Sequence, residues 1–162
     1  MHICQGLRGK FRYDACMDSV NRKIIEMLQN DGRVPYSDIA AYVNLSEAAV
    51  RKRVKKLESE GVIDIVAVTD PKQMGFPRQA LVGITVDGDV EPVLAHLREL
   101  EEVTYLVVTT GRYDILAEIV ARSDAHLKEA IYKKVRATDG VRSTETFQYL
   151  EINKQIYNWG VI

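Results

Sequence analysis

The chain has 162 residues, of which 46% are hydrophobic and 28% are charged, and this favours one ordinary globular domain or two small ones. Its apolar runs are too short to span a bilayer and its first residues lack the apolar core of a signal peptide, so we expect a cytoplasmic protein with no membrane partner. The formal net charge is −1, but residues 1–64 carry 11 basic and 9 acidic side chains whereas residues 65–162 carry 11 and 14. We therefore expect only the first part of the chain to meet a polyanion.

Residues 1–16 form an extension before the first predicted element. The two cysteines, Cys4 and Cys16, both lie in this extension, as does His2. Two thiols and one imidazole are too few to indicate a structural zinc site, and they do not form the pattern of a disulfide framework. We expect reduced thiols, no metal and no cofactor.

Residues 17–63 have the pattern of three short helices. Asp18 or Ser19 is placed to cap the first helix, and Gly32 is suited to a left-handed residue that ends it. An amphipathic helix of this kind packs its apolar face on its neighbours. The apolar positions that recur on one face are Val20, Ile24, Met27 and Leu28.

The second and third helices are joined by a tight turn. Ser37 is predicted to cap the second helix and Ser46 the third, and Asn44 between them is one of the few non-glycine residues that tolerate a positive φ. Gly61 marks the end of the third helix. Two helices with so short a connection predict a helix-turn-helix unit.

The third helix separates its apolar side chains from its cationic ones. Val50, Val54 and Leu57 recur at helical spacing and form a stripe that we expect to pack on the first two helices. Lys52, Lys55 and Lys56 then project with Ala48 to the opposite side, while Arg51 and Arg53 flank the stripe. The cations can meet phosphates, and the small residues of the first turn allow close approach to base edges in a major groove. The alternative is a merely solvated cationic face. The predicted DNA-binding residues are Ser37, Ser46, Glu47, Ala48, Ala49, Arg51, Lys52, Arg53, Lys55 and Lys56.

The second half of the chain alternates strand-like and helix-like stretches. Residues 64–79 are expected to hold a linking strand and a linker, because a β-rich stretch at 62–70 runs into Pro71. The βαββαβ order over 80–153 predicts an α+β, ferredoxin-like domain with both helices on one face of an antiparallel sheet, and residues 154–162 form a tail. Strands are predicted at 80–86, 104–110, 113–121 and 142–152, and helices at 90–100 and 124–137, with Asp124 as the cap of the latter.

Two of these strands are apolar on both sides. Residues 104–110 and 113–121 place large apolar side chains at successive positions, whereas a half-solvated strand alternates them with polar ones. A sheet with helices on only one face leaves this second apolar side bare. We therefore predict that a second copy of the protein covers it and that the protein is a homodimer.

The chain resembles the Lrp/AsnC family of transcription regulators over residues 17–153. The resemblance is carried by "NDGR" at 30–33, "DIA" at 38–40, "RVKKLESEGVI" at 53–63 and "TGRYD" at 110–114. It implies a DNA-binding (winged) helix-turn-helix domain, dimers that assemble into tetramers or octamers, and no enzymatic activity. Three positions depart from the family pattern: asparagine stands at 21 where an acid is usual and at 44 where glycine is common, and arginine stands at 112 where an acidic or small residue is frequent. Arg112 could prefer a ligand carboxylate or could simply be a surface residue.

The resemblance also implies that the second domain binds an amino acid or a related small effector at interfaces between subunits. In the family, the hairpin that matches "TGRYD" carries part of that site. Asp114 can accept from an ammonium group and threonines on the last strand can supply hydroxyls, although a tight turn with a capping Asp explains the same residues. The predicted effector-binding residues are Gly111, Arg112, Tyr113, Asp114, Thr144 and Thr146.

Three functions remain open from the sequence. The first is a sequence-specific regulator modulated by an effector, and the second is an architectural protein that coats DNA with little sequence preference. The third is a metabolite-binding module without a DNA role. An enzyme is disfavoured because the chain has no G-x-S-x-G, P-loop or H-E-x-x-H motif and its histidines are scattered.

Overall fold

The computed structural model describes residues 17–155, which divide between Ala67 and Val68 into two compact units. The expectations for the thiols in residues 1–16 and for the end of the tail, residues 156–162, lie outside the described residues. Every helix within 17–155 is too short or too polar to cross a lipid bilayer.

The first unit contains the three predicted helices, α1 (Ser19–Asn30), α2 (Tyr36–Val43) and α3 (Glu47–Ser59). Asp18 caps α1 by accepting from the backbone N–H of Asn21 at 2.7 Å, and Ser46 caps α3 by accepting from that of Ala49 at 3.2 Å. Asn44 ends α2 in the left-handed region with a φ of 56°, so the tight turn is confirmed.

Two of the predicted caps in this unit are wrong. Gly32 does not take the left-handed conformation, because α1 ends at Asp31 in an extended conformation instead. Ser37 does not cap α2, which begins one residue earlier, after Pro35, whose fixed φ suits the start of a helix. The Ser37 hydroxyl lies in the first turn and donates to Asp38 Oδ1 at 3.2 Å.

The predicted stripe of α3 forms the centre of this unit. Val50, Val54 and Leu57 have no exposed surface, and the first two pack with Ile24 and Ile39 from the other helices. The helix ends in a Schellman motif, in which Gly61 has a φ of 69° and the N–H of residue 62 donates to the Leu57 carbonyl at 2.9 Å. The buried stripe therefore orients α3 so that its opposite side faces solvent.

The second unit has the predicted βαββαβ order. Its elements are β1 (Arg78–Val86), α4 (Val90–Arg98), β2 (Val103–Val108), β3 (Ile115–Ala121), α5 (Asp124–Glu129), which continues as a π-helical segment (Ala130–Val135), and β4 (Val141–Gln148). The strands form an antiparallel sheet in the order β2-β3-β1-β4. Alternate strand residues, such as Ala80, Val82 and Ile84 of β1, pack against the helices and are fully buried.

Two local features of this half of the chain differ from expectation. Residues 62–70 form no strand, because none of the described residues pairs with them. Asp124 does not cap α5, because the Ser123 hydroxyl accepts from the His126 N–H at 3.1 Å. The Asp124 carboxylate instead binds Arg78, whose Nε lies 2.6 Å from Oδ1.

The face of the sheet opposite the helices carries several large apolar side chains, as the two-sided strands predicted, together with Glu118 and Glu145. Leu81, Val107 and Leu116 are only half-buried on this face, while Tyr105 and Phe147 are 56% and 45% exposed. We call it the open face. Exposed aromatic and aliphatic side chains in one patch are typical of a surface that another protein covers.

Candidate nucleic-acid interface and ligand site

The solvent side of α3 carries the cations that the sequence predicted there. Ala48, Lys52 and Lys55 are exposed opposite the buried stripe, and the two lysines make no ion pair with any residue in 17–155. Lys56 lies 3.7 Å from Glu60, a loose pair at the surface. This side of α3 therefore offers unneutralised positive charge next to small side chains in the first turn.

Arg51 is exposed but engaged. Its Nη2 lies 2.7 Å from Glu47 Oε1, one helical turn earlier, and its Cζ lies 5.1 Å from the centroid of the Tyr36 ring at the start of α2. Tyr36 was not among the predicted site residues. No periodic pattern could reveal it, because the contact joins two different helices.

Arg53 differs from the other predicted cations. Its Nη1 lies 2.7 Å from Asp18 Oδ2 and 2.8 Å from Asn21 Oδ1, so it ties α3 to the start of α1. The backbone N–H of Asn21 and then the Arg53 guanidinium hold the pKa of Asp18 below its usual value. We therefore assign Arg53 to the packing of the helices and leave it out of the proposed DNA surface.

The four small predicted residues have different positions. The Ser46 hydroxyl is used by the cap, and Ala49 is half-buried beside the core stripe. Ser37 is exposed in the first turn of α2, and Ala48 is exposed in the first turn of α3. Of the four, Ser37 and Ala48 retain exposed side chains that are not committed to a cap or to packing.

In the second unit, the ring of Tyr113 lies directly on the backbone of Gly83. A Cβ at Gly83 would lie 2.6 Å from Tyr113 Cδ2, so only glycine admits the ring. The Tyr113 hydroxyl donates to Glu145 Oε2, and this hydrogen bond raises the pKa of Tyr113. Arg112 stacks with its Cζ 5.5 Å from the ring centroid and its Nη2 3.4 Å from Glu145 Oε2. The result is a polar cluster at the edge of an apolar face.

Asp114, which was predicted to bind an effector, contacts the backbone of β1 in the structure. Its Oδ2 accepts from the backbone N–H of Val86 at 2.8 Å, and its own N–H donates to the Ile84 carbonyl at 3.0 Å. Ile84 is the last β1 residue paired with β3, and β1 has a bulge between Thr85 and Val86. Asp114 therefore satisfies the backbone where the ladder ends.

Thr144 and Thr146 are not brought together with the Tyr113 cluster. They pair with Ile84 and Val82, whose side chains point to the helices, so the threonines lie on the opposite side of the sheet from Glu145. Gly111 and Arg112 are exposed in the bend before Tyr113, and the Gly111 N–H donates to Thr109 Oγ1 at 3.3 Å.

Sequence reasoning missed Gly83 and Glu145. The signal for Gly83 was an isolated glycine inside an apolar strand, which indicates a close approach of another group to the backbone. Glu145 lies between the two predicted threonines, Thr144 and Thr146. Because side chains alternate between the faces of a strand, Glu145 points to the face opposite the threonines, which the sequence pattern could have shown.

A second charged cluster joins the start of β2 to the helical layer. Glu102 Oε1 accepts from Lys134 Nζ at 2.5 Å and lies 3.0 Å from His126 Nε2, while Glu102 Oε2 is buried without a partner among the described residues. Burial alone would raise the pKa of Glu102, but the hydrogen bonds from Lys134 and His126 outweigh it and lower the pKa to about 2. No group of His, Cys, Asp and Glu within 17–155 is arranged to hold a metal.

Comparison with known proteins identifies both units. Residues 17–58 match the family model of the AsnC-type helix-turn-helix domain, and residues 79–158 match that of the Lrp/AsnC ligand binding domain. An uncharacterised HTH-type transcriptional regulator of Pyrococcus abyssi is 36% identical over 89% of this chain and 90% of its own. The regulatory protein AsnC of Escherichia coli is 31% identical over 83% of this chain and 91% of its own.

Solved structures of similar proteins support the same family assignment. The structure of E. coli AsnC superposes with a TM-score of 0.79 at 30% identity, covering 87% of this chain and 97% of that one. A Neisseria meningitidis transcriptional regulator in complex with L-Met superposes with a TM-score of 0.81 at 21% identity, over 90% of this chain and 97% of that one, which shows a shared fold. The chain therefore belongs to the Lrp/AsnC family, whose members are transcription regulators and not enzymes, with an AsnC-type helix-turn-helix domain followed by an Lrp/AsnC ligand-binding domain.

Proposed function

We propose that the protein is a sequence-specific regulator that binds double-stranded DNA through the solvent side of α3. The observation that carries this proposal is the buried stripe of α3, which leaves Lys52 and Lys55 exposed and without ion-pair partners in residues 17–155. A recognition helix that enters a major groove needs this combination of a fixed inner side and a cationic outer side. Acting on DNA, the protein would work in the cytoplasm. The proposed surface comprises Ser37, Glu47, Ala48, Arg51, Lys52, Lys55 and Lys56.

An architectural role that coats DNA is the second candidate. Pure electrostatic coating depends on many phosphate contacts and on a large cation excess. Residues 1–64 carry 11 basic against 9 acidic side chains, and three of the cations on α3, Arg51, Arg53 and Lys56, are paired with carboxylates. This modest excess favours recognition of particular sequences.

We propose further that an amino acid or a related small molecule modulates the protein at the Tyr113 cluster. Arg112 can pair with a ligand carboxylate, and Glu145 can accept from a ligand ammonium, so the two charges complement an α-amino acid. The exposed aromatic ring of Phe147, which contacts Tyr113 edge-on with centroids 6.3 Å apart, offers an apolar wall beside them. Calorimetric titration with each of the twenty amino acids tests this proposal, and Glu145→Gln should weaken any binding that is found. A titration with no heat of binding for any amino acid would contradict it.

We propose that the protein forms a homodimer through the open face, and that dimers can assemble further into a tetramer or an octamer, as the family resemblance implies. Tyr105 and Phe147 would lose their exposure to water if a second copy packed there. A dimer also presents two α3 helices to half-sites about one helical turn, or a multiple of it, apart. Tyr105→Lys should shift the oligomer towards monomer in light scattering, whereas Tyr132→Lys, at an equally exposed tyrosine of the π-helical segment, should not.

Footprinting across the chain's own promoter at near-physiological salt separates the candidate functions. Discrete protected segments at regular spacing are expected for a sequence-specific regulator. Continuous coverage would favour the architectural role instead. Absence of protection at any concentration would favour a metabolite-binding module and would contradict the proposed function.

A further inference from the structure

Arg51 is held in place by two side chains on the solvent side of the first unit. Its Nη2 lies 2.7 Å from Glu47 Oε1 and its Cζ 5.1 Å from the centroid of the Tyr36 ring. Both contacts restrain the plane of the same guanidinium, so it samples fewer orientations than a fully solvated one. The side chains of Arg51 and Glu47 are 56% and 51% exposed, so the restrained group faces solvent and not the core.

We propose that Arg51 reads a guanine in the major groove and that Tyr36 is its positioning residue, an inference that rests on the DNA-binding function proposed above. A guanidinium carries five N–H donors in a planar fork, and the bond to Glu47 involves Nη2 alone. The other donors match the O6 and N7 acceptors of guanine. Adenine presents an amino donor where guanine has O6, so the same fork discriminates against it.

The neighbouring lysines suit a different task. Lys52 and Lys55 have no ion-pair partner within 17–155, and an ammonium on a flexible stem acts as a point charge without a preferred plane. Such groups bind phosphates, which position a protein on DNA but carry no sequence information directly. Glu47 is compatible with a position close to DNA because Arg51 neutralises its charge.

The test uses the full chain and an operator that the wild-type protein selects from random double-stranded DNA. Each guanine of a half-site is replaced in turn by 7-deazaguanine, which lacks the N7 acceptor and keeps its Watson–Crick pairing. At one guanine we expect wild-type affinity to fall at least about 5-fold, the lower end of the discrimination given by one bidentate contact. Arg51→Ala should be insensitive to the same replacement, because it has no donor for that acceptor.

Tyr36 is tested by two substitutions that differ in the ring. Tyr36→Phe keeps the ring and should retain the wild-type preference for guanine over adenine at that position. Tyr36→Leu should reduce this preference several-fold without changing the salt dependence of binding, because phosphate contacts are untouched. Tyr36 also packs against the core of the first unit, so thermal melting must show that Tyr36→Leu is folded. If Tyr36→Leu does not fold, the comparison of wild type with Arg51→Ala tests the inference.

The outcomes separate this inference from the function on which it rests. If every guanine replacement affects wild type and Arg51→Ala equally, the inference fails while sequence-specific binding stands. If the wild-type protein selects no sequence, the proposed function fails and the inference with it. Equal guanine preference in Tyr36→Leu and Tyr36→Phe would remove Tyr36 from the reading of the base.

Discussion

The contact between Gly83 and Tyr113 allows a sharp test of packing on the open face. Gly83→Ala would place a Cβ 2.6 Å from Cδ2 and 2.7 Å from Cγ of the ring, about 1 Å inside an ordinary carbon–carbon contact. Gly83 is paired on both sides, with Leu116 on β3 and Glu145 on β4, so the backbone is constrained and the ring must move. We expect the substitution to lower the free energy of unfolding by about 1–3 kcal/mol, the range for an overpacked site.

A double-mutant cycle assigns that cost to the ring. Without the ring, in Tyr113→Ala, the added methyl group has space, and alanine within a strand is favoured over glycine by ~0.5–1 kcal/mol. Gly83→Ala should therefore be neutral or slightly stabilising in that background. Urea unfolding followed by far-UV circular dichroism measures both costs, at one fixed protein concentration because assembly shifts apparent stability. The same cost in both backgrounds would refute the reasoning, because the Cβ would then be meeting some other group.

Three further predictions concern the stability of the two units. Asp18→Ala removes the cap of α1 and a partner of Arg53, so the free energy of unfolding should fall by about 1–2 kcal/mol. Because the folded pKa of Asp18 is depressed, its contribution to stability is complete above the usual pKa of 3.8 and is lost as pH falls through the folded pKa. Below pH 3.8 the urea midpoint of Asp18→Ala should therefore fall less with decreasing pH than that of wild type. Lys134→Ala leaves the buried Glu102 carboxylate with one partner fewer and should lower the free energy of unfolding, by less than the loss of a fully buried pair because Lys134 is 40% exposed. The control Lys133→Ala, which breaks a fully surface pair with Glu129, should change stability little, and equal effects of the two lysines would contradict the assignment. Asn44→Val should cost about 1–2 kcal/mol because residue 44 has a φ of 56°, whereas Asn44→Gly should be tolerated, and equal melting temperatures would exclude strain at that turn.

The parts of the fold that depend on short-range periodicity were predictable. The stripe of Val50, Val54 and Leu57 follows from helical spacing alone, and the burial of all three confirms it. The role of Arg53 was not predictable, because its partner Asp18 lies 35 residues earlier in the chain and no local pattern contains both. The same limit applies to Tyr36, which reaches Arg51 from another helix.

The effector-binding residues stay a prediction, and the sequence showed only part of how they are arranged. The bend with Arg112 and Tyr113 does carry a polar cluster, but its acidic member is Glu145 and not Asp114. Asp114 was assigned to the site because a carboxylate can bind an ammonium group. In the structure its carboxylate accepts a hydrogen bond from the N–H of Val86, which has no partner on β3 because the pairing of β1 with β3 ends at Ile84. An unsatisfied backbone group is visible only once the register of the sheet is known.

The central claim is that the solvent side of α3 binds DNA, and charge-matched variants test it most directly. The measurement is the affinity for a promoter fragment at several salt concentrations, compared between Lys52→Ala/Lys55→Ala and Lys72→Ala/Lys128→Ala, whose lysines are exposed in the other unit. We predict that Lys52→Ala/Lys55→Ala weakens binding to the promoter fragment. It should also reduce the magnitude of the slope of log affinity against log salt by about 0.9 for each phosphate that the variant no longer neutralises. The control pair removes the same charge and should leave both quantities near wild type. An equal reduction in the two variants, or none in either, would contradict the assignment of this surface.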